Sequence, residues 1–186
     1  MVRIIAGIYK GRDLKVPQGP TRPMSAMVRE ALMSMIQAKI PGARVLDPMA
    51  GSGALAIETL SRGAASALLA DASKKAQNVI QDNIALVGAE ATATFIRASQ
   101  PKDFNLLLPH GPFDLLLLCP PYAEITLPKL FLVKAATEGL AAPAALAVWE
   151  QDAPTLATWD PEELQPWALV TTRAWGRRAV AIFSLD

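Results

Sequence analysis

Among its 186 residues the chain has one cysteine, Cys119, and one histidine, His110. A disulfide within the chain is therefore excluded, and a zinc site with the usual ligand spacing cannot be built from them. A Ser/His/Asp triad is equally disfavoured, because His110 lies in the turn Pro109-His110-Gly111-Pro112 and is expected simply to face water. No uninterrupted apolar run is long enough for a membrane span, and Met1-Val2-Arg3-Ile4-Ile5 runs into charged sequence rather than a signal peptide, so a cytoplasmic protein is expected. There is no internal repeat and no low-complexity stretch. Net charge is almost absent too, with 18 Lys and Arg against 17 Asp and Glu. What remains is a 52% hydrophobic chain of single-domain length, enough for a substantial core.

Charge is nevertheless unevenly placed. Arg3, Lys10, Arg12, Lys15, Arg22 and Arg29 crowd the start against only Asp13 and Glu30. A basic end on a near-neutral body is the footprint of a polyanion-binding arm, and equally of a solvated charged surface. The arm also carries β-like runs, Arg3–Ala6 and Asp13–Val16, around Gly7 and Gly11, which predict a small hairpin outside the main sheet.

Past the prolines at 17, 20 and 23, Ser25 can cap a helix whose inward face would hold Met27, Val28, Leu32, Met35 and Ile36. Met24, Met27, Met33 and Met35 are expected to fill core or groove. The organising stretch follows: an apolar run, Ala43–Leu46, the turn Asp47-Pro48-Met49-Ala50-Gly51-Ser52-Gly53, and a helix from Ala54. Apolar runs recur at Ala67–Asp71, Thr94–Ile96, Phe113–Leu118 and Ala145–Trp149, with helical periodicity from Ser73 to about Leu86 and around Leu127–Glu138. A polar loop holding Pro154 and Pro161 then precedes two runs, Ala168–Ala174 and Arg178–Phe183, close enough to form an antiparallel pair. Unalternating runs such as Phe113–Leu118 belong to strands buried on both faces, so the pattern predicts an α/β, doubly wound, mostly parallel sheet.

In such a sheet, ligands sit beyond the carboxyl ends of the strands. Asp47 with its glycine turn, Asp71, and the corner Cys119-Pro120-Pro121-Tyr122 all fall there. Asp47 could also merely cap its turn, and Asp71 the next helix. The turn lacks the lysine of a phosphate-cradling loop, which disfavours nucleotide hydrolysis, but it still fits a dinucleotide pattern. The corner discriminates: two prolines remove N–H donors, carbonyls remain as acceptors, and Tyr122 offers a flat face. That suits a planar ring bearing an exocyclic amine, for which a dehydrogenase has no use.

With these residues in view, the chain resembles class I methyltransferases, and among them the RsmD family. The resemblance runs through Arg3-Ile-Ile-Ala-Gly7, Lys10-Gly-Arg12, Arg22-Pro23, Val28-Arg-Glu-Ala-Leu32, Val45-Leu-Asp47, Ala50–Leu55, Glu58, Leu60–Ala64 and Pro120-Pro-Tyr122. It implies a Rossmann-like, seven-stranded methyltransferase domain over residues 25–186, with a C-terminal antiparallel hairpin, behind a basic arm and hairpin over 1–24. It implies S-adenosylmethionine as cofactor and transfer of its methyl group to the exocyclic N2 of a guanine in small-subunit ribosomal RNA. The cofactor would be held by Asp47, Met49, Ala50, Gly51, Ser52, Gly53, Asp71, Ala72 and Ser99, with Asp71 on the ribose hydroxyls. The base would be held by Cys119, Pro120, Pro121 and Tyr122, and the RNA, naked or in the small subunit, by Arg3, Lys10, Arg12, Lys15, Arg22 and Arg29. A monomer with no metal is expected.

Four positions depart from the family pattern. Cys119 stands where an aspartate or asparagine normally accepts from the amine, Ala26 where the arm helix has aspartate, Met24 where threonine is usual, and Ser99 where an acidic residue follows the third strand. A thiol is a poor acceptor. A weakly catalytic relative that binds cofactor and RNA, and a Cys119 nucleophile that methylates pyrimidine carbon, are the alternatives.

Overall fold

In the computed structural model, which describes residues 1–19, 24–121 and 123–185, a two-stranded antiparallel hairpin of β1 (Val2–Arg3) and β2 (Asp13–Leu14) precedes α1 (Ala26–Ile36). The alternating part comprises β3 (Arg44–Asp47), α2 (Ala54–Ser61), β4 (Ser66–Asp71), α3 (Lys74–Val87), β5 (Ala93–Arg97), β6 (Phe113–Leu118), α4 (Thr126–Thr137) and β7 (Ala141–Asp152). After α5 (Ala153–Thr158), β8 (Trp167–Trp175) and β9 (Arg178–Leu185) close the chain. The expected arm residue Arg22 and corner residue Tyr122 lie outside the described residues.

The seven strands run in the order β5-β4-β3-β6-β7-β9-β8. β3 to β7 are parallel, and β9 is antiparallel to both β7 and β8. The chain goes outward from β3 through β4 to β5, then returns to β6 on the other flank of β3. Its strand order therefore reverses between β3 and β6, which opens a crevice at their carboxyl ends.

Period-two alternation sorts the core onto two faces. Leu115, Leu117, Val148, Val180 and Ile182 pack with α1, α2, α3 and the hairpin. Leu116, Leu118, Ala147, Trp149 and Ala181 pack beneath α4 and α5. Each large apolar side chain, fully buried, contributes about 1.5–3 kcal/mol, so the short run of β6 suffices to hold the middle of the sheet.

Three local expectations are corrected. The Ser25 hydroxyl caps α1 by accepting from the Val28 N–H, but Met27 is 64% exposed and Met33 takes the interior place. The cause is Arg29, which turns inward toward the buried Glu58 and rotates the packed stripe to Val28, Arg29, Leu32, Met33 and Ile36. The presumed loop through Pro154 and Pro161 instead folds as α5 and a short 3-10 turn, burying Leu156 and Leu164. Proline in a first helical turn forfeits no hydrogen bond, which is why those prolines start structure here rather than break it. Finally, β7 reaches from Ala141 to Asp152, beyond the apolar run at Ala145–Trp149.

Candidate functional site

The turn after β3 is built by its backbone. Gly53, at φ +75°, precedes α2 and donates to the Ala50 carbonyl at 2.7 Å. A Cβ there would sit 2.8 Å from the Leu69 side chain, so no larger residue keeps both the conformation and the packing. Gly51, at φ +57°, would direct a Cβ into open space, which is the cleft itself. The Ala50 N–H donates to the Ala70 carbonyl at 2.9 Å, fastening the turn to β4.

Asp71 joins the same fastening. One carboxylate oxygen accepts from Gly51 N–H at 2.9 Å and the other from Ser73 N–H at 2.8 Å. It thus ties the glycine turn to the start of α3, whose cap is Ser73 and not Asp71: the Ser73 hydroxyl accepts from the Ala76 N–H. A carboxylate has about four acceptor sites, so two amides fix its orientation and leave capacity toward the cleft.

Asp47 is different. Its side chain is 2% exposed and Oδ1 has no partner among the described residues. Burial, and then the neighbouring charge of Asp71, push its carboxyl up to about 8, against a lowering effect from the Met49 N–H. At neutral pH the carboxyl is therefore mostly protonated, and a cation arriving beside it would favour its ionised form. A buried acceptor without a donor, at the wall of an open cleft, fits an ammonium group.

These residues and the proline corner line one cleft of about 980 Å³. Met49, Ala50, Ser52, Ala72 and Ser99 all reach it. At the corner Pro120 is buried and Pro121 exposed. The Pro121 carbonyl accepts from Glu124 N–H at 2.8 Å, whereas no backbone donor among the described residues reaches that of Pro120. The Cys119 thiol is pushed well above its ordinary range, chiefly by burial and then by the negative charges of Glu150 and Asp47. It stays protonated, which removes the thiolate that attack on a pyrimidine ring would need.

The chain's start supplies another wall, through Val2, Val16, Pro17, Gln18 and Met24. Fully buried Glu58 accepts from Ile5 N–H at 2.9 Å and Ala6 N–H at 3.1 Å and pairs with Arg62. Buried Asn83 accepts from Lys15 N–H and donates to the Lys15 and Ser52 carbonyls. Lys10 and Arg12 are exposed. Arg3 pairs with Asp13 and Lys15 with Asp82, each at 2.7 Å on the surface. Arg29 departs from its expected place among the phosphate-gripping cations. It is 3% exposed, ion-paired to Glu58 and donating to the Arg3 carbonyl, because an uncompensated Glu58 inside α2 would be costly.

Sequence reasoning missed two parts of the cleft. Gln100, next to Ser99, lines it with a buried side-chain amide that has no hydrogen-bond partner among the described residues. An amide offers a donor and an acceptor together, the complement of a heteroaromatic edge. Glu150 and Arg178, from β7 and β9, meet at 2.9 Å in the cleft wall. The alternation of those strands carries the signal for the pair, but nothing in the local sequence says that a buried charge is there.

Comparison with known proteins follows the same geometry. The family model described as Conserved hypothetical protein 95 matches residues 2–184. YlbH of Bacillus subtilis is 34% identical over 69% of this chain and 71% of its own length. The ribosomal RNA small subunit methyltransferase D of Escherichia coli is 35% identical over 60% of each chain. The structure of yhhF from Escherichia coli superposes with a TM-score of 0.84 at 28% identity, covering 100% of this chain and 98% of that one. By the match over nearly its whole length and by these relatives, the chain belongs to the Conserved hypothetical protein 95 family of RsmD-like methyltransferases.

Proposed function

We propose that the protein methylates the exocyclic N2 amine of a guanine in small-subunit ribosomal RNA, with S-adenosylmethionine as methyl donor. The observation that carries this reading is one cleft lined by two unlike parts: a glycine turn with Asp47, whose Oδ1 has no partner among the described residues, and a proline corner with an accepting carbonyl. The relatives' names supply the class of RNA and are the support for the small subunit.

The fit of the cofactor to this chain rests on three features. Asp47, with its unpartnered Oδ1, would hold the ammonium; the open space at Gly51 would admit the methionine part close to the backbone; and Asp71, held by two amides, would accept from the ribose hydroxyls. Gln100, whose amide has no partner among the described residues, would meet the adenine edge. When bound, the cofactor supplies a methyl group already activated on a sulfonium, so the chain need provide no metal and no strong base.

The protein's task is alignment and exclusion of water. Pro120 presents its carbonyl to one N–H of the amine, which holds the nitrogen lone pair out of conjugation with the ring, and Tyr122 provides the surface on which the ring lies. The bound cofactor would supply its methyl group to the amine nitrogen, the carbon–sulfur electrons going to sulfur, and the surplus amine proton would pass to solvent once the product leaves the corner. The guanine has to leave its stack to reach the corner. Lys10 and Arg12, exposed on the arm, contact phosphates and set the register without reading bases.

The test is nucleoside mass spectrometry of small-subunit RNA from cells with and without the gene. One N2-methylated guanine should vanish in the deletion strain and return with the wild-type gene. Unchanged methylguanine would reject the reading.

A further inference from the structure

Position 119 leaves a gap in the corner: the thiol there is a poor acceptor, yet an amine held only by the Pro120 carbonyl has a second N–H to satisfy. The strand register shows what stands beside it. Leu118 pairs with Trp149, which brings Cys119 level with Glu150 on the adjacent strand. Val180 pairs with Glu150 and Arg178 with Asp152 on the strand after that. Since Leu117, Val148 and Val180 share one face of the sheet, period two puts Cys119, Glu150 and Arg178 on that face as well.

Glu150 is 5% exposed and lines the same cleft as Pro120. Its Oε1 accepts from the Arg178 guanidinium at 2.9 Å. The register sets Glu150 on the strand beside Cys119, and its charge, after burial, is the next cause that raises the Cys119 thiol. A buried carboxylate costs several kcal/mol unless paired, and Arg178 supplies that pairing. A purely structural ion pair would do as well anywhere in the sheet. This one stands where β7 runs past the carboxyl end of β6, beside a corner whose side chain at 119 is a poor acceptor.

We propose that Glu150 is the acceptor for the second N–H of the target amine, in place of the side chain at 119, and that Arg178 is the positioning residue that holds its carboxylate in the cleft wall. This rests on the amine-methylation reading above. A carboxylate can accept from the guanidinium and the amine together. Cys119 then need only be small and uncharged, since a second carboxylate there would crowd Glu150 and Asp47.

The experiment measures methyl transfer to small subunits from cells lacking the gene, with cofactor affinity titrated separately. Glu150→Ala should lower kcat by about 100-fold, the scale of losing one transition-state hydrogen bond, with the cofactor Kd within about threefold of wild type. Adding Cys119→Asn, which restores an oxygen at the corner, should recover about tenfold or more of that loss, a rescue that a structural role would not produce. Arg178→Ala should lower kcat with cofactor Kd unchanged, and Arg178→Lys should restore part of it. If Glu150→Ala does not fold, Glu150→Gln keeps the volume and is expected to lose about tenfold, again rescued by Cys119→Asn. A folded, cofactor-binding Glu150 variant that keeps wild-type kcat, or whose loss Cys119→Asn does not relieve, overturns the inference while leaving the methylation reading intact. Wild-type protein that methylates no guanine on these subunits overturns that reading and the role of Glu150 with it.

Discussion

Replacing Asp47 with asparagine should make the protein more stable and worse at holding its cofactor. The carboxyl is buried without a partner for Oδ1, and its pKa stands at about 8 against an ordinary 3.8. The folded chain therefore keeps a proton on Asp47 that the unfolded chain releases above about pH 4. Between about pH 4 and 8 the folded state binds the extra proton, so wild-type stability falls as pH rises through that window and the loss is complete above it. About four pH units correspond to at most about 6 kcal/mol between the acid and alkaline limits. Asparagine has the shape of the protonated acid, can still accept from the Met49 N–H, and does not titrate. Thermal unfolding of the two proteins should coincide near about pH 4 and diverge toward about pH 9, with the variant higher. Even a third of the limiting energy, about 2 kcal/mol, raises Tm by about 4–8 °C in a chain of this size. Cofactor binding should move the other way. The wild type gains its ionised partner by releasing a proton, so its affinity rises from about pH 6 toward about pH 8, while the asparagine variant lacks that rising limb and binds about tenfold or more weakly. A variant whose stability tracks the wild type at every pH, or that binds cofactor as tightly with the same pH dependence, would refute the assignment of Asp47 as a carboxyl waiting for a cation.

Three further outcomes are expected. Gln100→Leu should weaken cofactor binding by about tenfold in a fluorescence titration without lowering Tm, because the amide it removes has no partner among the described residues. Reversing Lys10 and Arg12 to glutamate should weaken RNA binding in a filter or mobility assay, with a salt slope shallower by about one for each phosphate no longer neutralised, and leave cofactor affinity unchanged. Asn83→Ala should cost about 1–3 kcal/mol in urea unfolding, the desolvation of the Lys15 and Ser52 groups it leaves unpaired, and should loosen cofactor binding because Ser52 belongs to the turn.

The elements most legible in the sequence are those in which local pattern and tertiary need agree. Phe113–Leu118 reads as a doubly buried strand because it is one, and the Asp47–Gly53 turn announces itself through glycines that the positive φ angles and the Leu69 contact require. Reading fails where a single long-range contact decides the outcome. Whether Met27 or Met33 faces inward depends on Arg29 meeting Glu58 on a different helix, and no periodicity within α1 encodes that. Glu150 is hidden for the same reason: in Val148-Trp149-Glu150-Gln151 a carboxylate looks like the polar end of a strand. Only pairing with β6 and β9 shows it buried beside Cys119. Gln100 carries no signal at all, since an amide matters only by what it fails to touch.

The basic arm and the cleft share their supports. Glu58 binds the arm's backbone at Ile5 and Ala6 from within α2, the helix that the glycine turn opens into. Asn83 ties the arm at Lys15 to the turn at Ser52 from α3, the helix that Asp71 leads into. The same two helices thus anchor both the segment bearing Lys10 and Arg12 and the loop that lines the cleft. Force applied to the arm would reach the turn through these part-buried hydrogen bonds. Weak surface pairs such as Arg3–Asp13 can exchange for phosphate at little cost, since exposed ion pairs contribute at most about 1 kcal/mol. The buried bonds at Glu58 and Asn83 cannot, because an unpaired interior group costs more than the surface pair returns. Polyanion binding should therefore rearrange the arm's outer charges and leave its inner face, the wall of the cleft, in place.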